Sequence, residues 1–178
     1  MILWFKLKML WEEKLSEIAK DALTPGFKIH DLKVSYHNRE AKIMIVLDNL
    51  NDPYGSPRVE DCETFARLLK LKLIELDEIE DCPQNYAIEV SSPGAEREVK
   101  VPDDLERFKK QPMRVAYNKE GKREERILSY IDIQGEQIYW VTADVKKNRK
   151  NKTAMKIKKE DYKISIPDVI KVNLHLDF

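Results

Sequence analysis

Two cysteines and five glycines are all that 178 residues contain of either type. Cys62 and Cys82 are too few for a disulfide framework or a four-thiolate zinc site, so a reducing compartment is expected. Cys62 falls at a helical core spacing, where a thiol serves as a small hydrophobe. The glycines never form G-x-G-x-x-G. A phosphate loop ending at Gly121-Lys122 needs glycine at 116, where the chain has Ala116. Ser91-Ser92 lacks the flanking glycines of a nucleophile elbow. His30, His37 and His175 show no metal-ligand spacing. The acidic loop from Asp48 fails as a calcium loop, with Leu50 at its third position and Val59 at its twelfth. No constellation meets the requirements of a catalytic site, and a protein without enzymatic activity, metal or cofactor is expected.

Long apolar runs are also missing, and none approaches the roughly 18 residues that cross a membrane. The apolar start, Met1 to Trp11, has no basic lead, is broken by Lys6 and Lys8, and runs into Glu12-Glu13-Lys14 instead of a small-residue cleavage site. It reads as the first helix of a cytoplasmic protein or the frayed lead-in to it.

What the chain does have is charge, 36% of its residues against roughly 25% in an average soluble domain. The total is zero, and it hides an asymmetry. Residues 1–98 carry 13 Lys+Arg against 19 Asp+Glu, a net of −6; residues 99–178 carry 19 against 13, a net of +6. Two modules with different surfaces are expected, the second suited to polyanions.

Hydrophobic spacing supports the division. Trp11, Leu15, Ile18, Ala19 and Ala22 recur at three- and four-residue steps, an amphipathic helix stopped by Thr24-Pro25-Gly26. Two β-rich runs follow, Lys28–Tyr36 and Ala41–Leu47, joined by the turn His37-Asn38-Arg39-Glu40. Ser56-Pro57 reads as the start of a second helix with Val59, Cys62, Phe65, Ala66, Leu69, Leu73 and Leu76 on one stripe. Tyr86–Val90 reads as a buried strand. The first module, residues 1–98, is thus an αββαβ layer of α+β class. In residues 99–178 a short helix at Pro102–Lys109 precedes closely spaced strands: Met113–Tyr117, Ile127–Ile133, Gln137–Val141, one around Met155–Ile157, Tyr162–Ile166 and Val169–Leu176. These suggest a small β barrel of SH3 or Sm type.

The segment Tyr86-Ala87-Ile88-Glu89-Val90-Ser91-Ser92-Pro93-Gly94-Ala95-Glu96-Arg97 closely resembles the stretch that joins the two domains in the ribosome maturation factor RimP family. Asp61-Cys62, the run Asp103 to Phe108, and the ending Ile170-Lys171-Val172-Asn173-Leu174 through Asp177-Phe178 are similar to that family as well, so the likeness spans nearly the whole chain. Glu98-Val99 stands where the family usually has Pro-Leu, Ala95 replaces a larger aliphatic residue, and Gln111-Pro112 replaces a common glycine. The resemblance implies an αββαβ domain followed by an Sm-like barrel. It also implies a role in maturing the 30S subunit, through 16S rRNA and a small-subunit protein near the decoding region. A monomer that does not touch membranes is expected. Charge alone fits a second reading equally, a general Sm-like RNA-binding protein without ribosome specificity.

Two groups of residues stand out as sites. Lys146, Lys147, Arg149, Lys150, Lys152, Lys156, Lys158 and Lys159 put eight positive charges and no negative one between Lys146 and Lys159, in a stretch longer than the family's. Such a cluster displaces counterions from RNA phosphates, although lysine also protects an exposed sheet edge. Ser91, Ser92, Pro93, Gly94 and Arg97 form the second group. They present either backbone donors and a guanidinium to a partner, or a tight turn and a charge paired across the domain boundary. The acidic first module suits a basic protein partner. Finally, Tyr139 and Trp140 are adjacent in a strand and face opposite ways; core packing is the default for both, and whichever does not fill the barrel core could stack on a base.

Overall fold

The computed structural model describes residues 2–37, 40–74, 85–109, 111–143 and 160–176, with side chains from Trp11 onward. The chain is mixed α+β and falls into two compact units, Met1–Pro93 and Gly94–Phe178.

The first unit runs α1 (Ile2–Asp21), β1 (Phe27–His37), β2 (Glu40–Asn49), α2 (Val59–Ile74) and β3 (Asn85–Ser91). Its sheet has the order β1-β2-β3, antiparallel then parallel. The central strand β2 alternates strictly, with Ala41, Ile43, Ile45 and Leu47 buried against Trp11, Leu15 and Ala19 of α1 and Phe65, Leu69 and Leu73 of α2. Gly26 allows the return from α1: its φ is +91°, and a Cβ there would lie 2.5 Å from the Asn51 amide nitrogen. The Gly26 carbonyl accepts from Leu50 N–H at 2.8 Å, which joins that turn to the loop after β2.

Three details differ from expectation. Helix α2 starts at Val59, not at Ser56-Pro57: Arg58 caps it, its N–H donating to Asp61 Oδ2 at 2.8 Å, and its carbonyl accepting from Cys62 N–H at 3.2 Å. A carboxylate three residues into the helix reaching back to the cap is half of a capping box. Val59 is therefore first in the helix and 71% exposed rather than part of the core stripe. Strand β3 is an edge strand, with only Tyr86, Ile88 and Val90 turned toward the core. The central hairpin residues 38–39, the stripe's Leu76 and the strand around 155–157 lie outside the described residues.

The second unit contains β4 (Pro112–Lys119), β5 (Lys122–Gln134), β6 (Gln137–Thr142), β7 (Asp161–Ser165), a 3₁₀ turn (Ile166–Asp168) and β8 (Val169–Leu174). Its sheet has the order β7-β6-β5-β4-β8, antiparallel throughout. Among the described residues no ladder joins β7 to β8, so the sheet is not a closed barrel. Register shifts, the mark of a β-bulge or irregularity, fall at Tyr130/Asp132 and Ala116/Tyr117. All five strands contribute to one core, centred on the fully buried Trp140 with Met113, Val115, Leu128, Ile138, Ile164 and Val172. Trp140 meets Tyr130 edge to face at 5.9 Å. The β4–β5 hairpin turns on Glu120 and Gly121, at φ 51° and 77°, the two left-handed residues of a type I′ turn.

Residues 102–109 form consecutive turns instead of a regular helix. Leu105 N–H bonds to Pro102 O at 3.2 Å, Phe108 N–H to Asp104 O at 3.3 Å and Lys109 N–H to Glu106 O at 3.4 Å, a mixture of three- and four-residue steps. The mixture still buries Leu105 and Phe108.

Tyr117, Tyr130 and Tyr162 belong to or pack on this core. Burial pushes each phenol above its usual pKa, helped by Glu124, Glu106 and Glu160 respectively. The folded state therefore holds these protons more tightly than the unfolded chain. Their contribution to stability is complete below about pH 10 and is lost as pH rises past the unfolded value. The melting temperature should decline from about pH 10 upward, and Tyr117→Phe together with Tyr162→Phe should make that decline shallower. Melting the wild type and the double variant between neutral pH and about pH 11 checks this.

Candidate nucleic-acid and partner interface

The acidic loop after β2 spends its side chains on its own backbone. Asp52 Oδ1 accepts from Tyr54 N–H and Ser56 N–H, each at 2.9 Å, and Asn49 Oδ1 accepts from Asn51 N–H at 2.9 Å. Asp48 is fully buried with the Lys28 ammonium 3.8 Å away. Asp52 and Asn49 thus act as turn-formers, while Asp48 is an interior ion-pair partner. Among the described residues no three His, Cys, Asp or Glu side chains are grouped to hold a metal ion, and no helix is long and apolar enough to cross a membrane.

The segment Ser91 to Val99 contains the change from one unit to the other. Ser91 ends β3, and Ser91, Ser92 and Gly94 are exposed with Pro93 partly so. Gly94 has a φ of +80° and open space around its α-carbon, so the requirement for glycine there is conformational. From Glu96 onward the chain lies along β8. Asn173 Nδ2 donates to Glu96 O at 2.9 Å, Leu174 N–H to Arg97 O at 2.9 Å, and Val99 N–H to Val172 O at 2.8 Å. Side chains add to the ladder: Arg114 reaches Glu96 at 3.3 Å and Lys171 reaches Glu98 at 3.3 Å.

Arg97 separates from its neighbours here. Its side chain is 1% exposed, and its guanidinium carbon lies 5.0 Å from the centroid of Phe108. The guanidinium carbon of Arg107 lies 4.8 Å from the same ring. A planar cation over an aromatic face is favourable where water is excluded. The structure thus brings Ser91, Ser92, Pro93 and Gly94 together as an accessible turn and places Arg97 within the second unit's interior. Sequence spacing does not distinguish these surroundings, because a charged residue three positions after a Pro-Gly turn reads as surface.

Lys146, Lys147, Arg149, Lys150, Lys152, Lys156, Lys158 and Lys159 all lie outside the described residues. The residues that bound the segment are described, and they are fastened together. Thr142 N–H donates to Glu160 O at 3.0 Å, Glu160 N–H returns to Thr142 Oγ1 at 3.2 Å, and Ala143 N–H reaches Ile127 O at 3.2 Å. The groove beside β7 is lined by Tyr117, Glu120, Asp161, Tyr162, Lys163 and Asp168 among others, a wall of mixed charge.

Replacing Arg97 with alanine should cost the second unit roughly 2–3 kcal/mol, the upper part of the usual single-substitution range, because a buried side chain and its contact with Phe108 are both lost. Lysine should recover little of it, because an ammonium has no planar face to lay on Phe108. Urea unfolding of the two variants beside the wild type measures both effects.

Comparison with known proteins covers almost the whole chain. The RimP N-terminal domain matches residues 18–96, and a domain of unknown function, DUF7912, matches residues 98–175. The ribosome maturation factor RimP of Leptospira interrogans serogroup Icterohaemorrhagiae serovar copenhageni is 33% identical over 167 residues, 93% of this chain and 96% of that protein. The protein of the same name from Leptospira biflexa serovar Patoc is 32% identical over 167 residues, 93% of this chain and 97% of its own length.

Proposed function

Because the chain belongs to the RimP family of ribosome maturation factors, we propose that it binds the immature small ribosomal subunit and assists its assembly without catalysis. The observation that carries this reading is the similarity to RimP proteins over 93% of the chain, both units included. In this reading the partners are 16S rRNA and a small-subunit protein near the decoding region, met by a monomer in the cytoplasm.

The two units divide the work by charge. The first unit, 12 Lys+Arg against 17 Asp+Glu over residues 1–93 and so net −5, suits a basic ribosomal protein; the second, 20 against 15 over residues 94–178 and so net +5, suits RNA. We read the five-stranded antiparallel sheet, with its 3₁₀ turn before the last strand, as an open Sm-like module following an αββαβ domain. Lys146, Lys147, Arg149, Lys150, Lys152, Lys156, Lys158 and Lys159 grip rRNA phosphates, and the exposed Ser91-Ser92-Pro93-Gly94 turn offers backbone groups to the partner.

Co-sedimentation with free small subunits, large subunits and joined ribosomes tests the function. Selective migration with free small subunits is expected. Equal migration with every particle would favour the second reading, a general Sm-like RNA binder, for which the concentrated charge of the lysine segment is the supporting feature. Replacing four of the segment's lysines with serine should weaken subunit binding and flatten its log–log salt dependence by about 0.7–0.9 for each phosphate no longer neutralised. A titration repeated at several salt concentrations reads that slope, and an unchanged slope removes the segment from the interface.

A further inference from the structure

We propose that Tyr139, on the outer face of β6, is a stacking platform for a base of single-stranded RNA, with Lys163 beside it meeting the adjoining phosphate; this rests on the RNA-binding reading above. Adjacent strand residues face opposite sides. Trp140 is fully buried in the core, so Tyr139 is turned out, and it is partly exposed.

Its position on the sheet matters. Strand β6 has β5 on one side and β7 on the other, which puts Tyr139 in the middle of an open face instead of at an edge. Lys163 is its register partner on β7, with the ammonium 5.6 Å from the ring centroid. On the β5 side its partner is Asp132, next to a register shift between Tyr130 and Asp132 that leaves Ile131 42% exposed. Val141, two residues along β6, is partly exposed on the same face. An aromatic ring with aliphatic neighbours and one cation is the combination by which sheet surfaces hold unpaired bases.

A single exposed tyrosine on a strand is ordinary in itself. Three further features favour a ligand, and RNA over protein. The ring carries its own cation. An aliphatic side chain is turned outward beside it at an irregular point of the ladder. The stretch holding eight positive charges begins within a few residues of it in sequence, between the fastened Thr142 and Glu160. Asp132 lies across from Tyr139 on β5 and Asp161 two residues before Lys163 on β7, so a bound strand would direct a phosphate at Lys163 and away from both carboxylates.

The test uses the full chain and a single-stranded RNA of about 12 nucleotides, within the site sizes common for such surfaces, labelled for fluorescence anisotropy. Tyr139→Ala should weaken binding roughly ten-fold, the size of one base–aromatic stack. Tyr139→Phe should stay within about two-fold of wild type, since stacking needs the ring and not the hydroxyl. Replacing the middle nucleotides by 4-thiouridine should crosslink the wild-type chain within the peptide Ile127 to Lys146, at Tyr139, a readout independent of how any variant folds. Unchanged affinity of Tyr139→Ala, equal weakening in Tyr139→Phe, or crosslinks that avoid Tyr139 would each overturn the platform. If the lysine-to-serine variant loses RNA binding while Tyr139→Ala binds as tightly as the wild type, the platform alone falls. If the wild type binds no RNA, the RNA reading falls with it.

Discussion

A guanidinium withdrawn from water must be held by what surrounds it, and the surroundings of Arg97 govern how the second unit begins. To lay Arg97 over Phe108, the chain after Gly94 has to run beside β8, and residues 100–109 have to fold back across the core. The same course buries Val99, Leu105 and Phe108, which belong to the core cluster of the five-stranded sheet. The exposed turn before Arg97 then lies at the change of units because the residues after it are already committed to the second one.

That arrangement explains why one short signature is spread over two structures. Tyr86 to Ser91 is the parallel edge strand of the first sheet, and Glu96 to Val99 is fastened to the last strand of the second. A change in either half alters a different core. The net charge changes sign between the same two units, acidic in the first and basic in the second.

Much of this is legible in residue spacing, and the exceptions have physical causes. The alternation of β2 and the adjacency of Tyr139 and Trp140 fix facing directly, because the strand period is two; which of the two aromatics is buried waits on the sheet. Ser56-Pro57 has the residues of a cap and first turn, whereas Asp61 reaching back to Arg58 sets the start of α2 two residues later. Strand β3 reads as buried by composition, but edge position depends on topology, which local sequence does not carry. Residues 102–109 have helical spacing of apolar groups, and short turns satisfy the same burial. The burial of Arg97 is the least legible, since nothing local separates a core arginine from a surface one. The lysine segment shows the reverse: its charge is plain in sequence, and it lies outside the described residues.

The backbone bonds from Leu174 to Arg97 and from Val99 to Val172 join antiparallel neighbours, one close to the entry of the second unit and one close to its exit. Tension applied at those two ends would load the bonds one after another, as in opening a zipper, and not all together in shear. The unit is thus mechanically soft along the axis through its own ends, and the outermost contacts there, Asn173 Nδ2 to Glu96 O and His175 N–H to Pro112 O, would part before the backbone bond that carries Arg97.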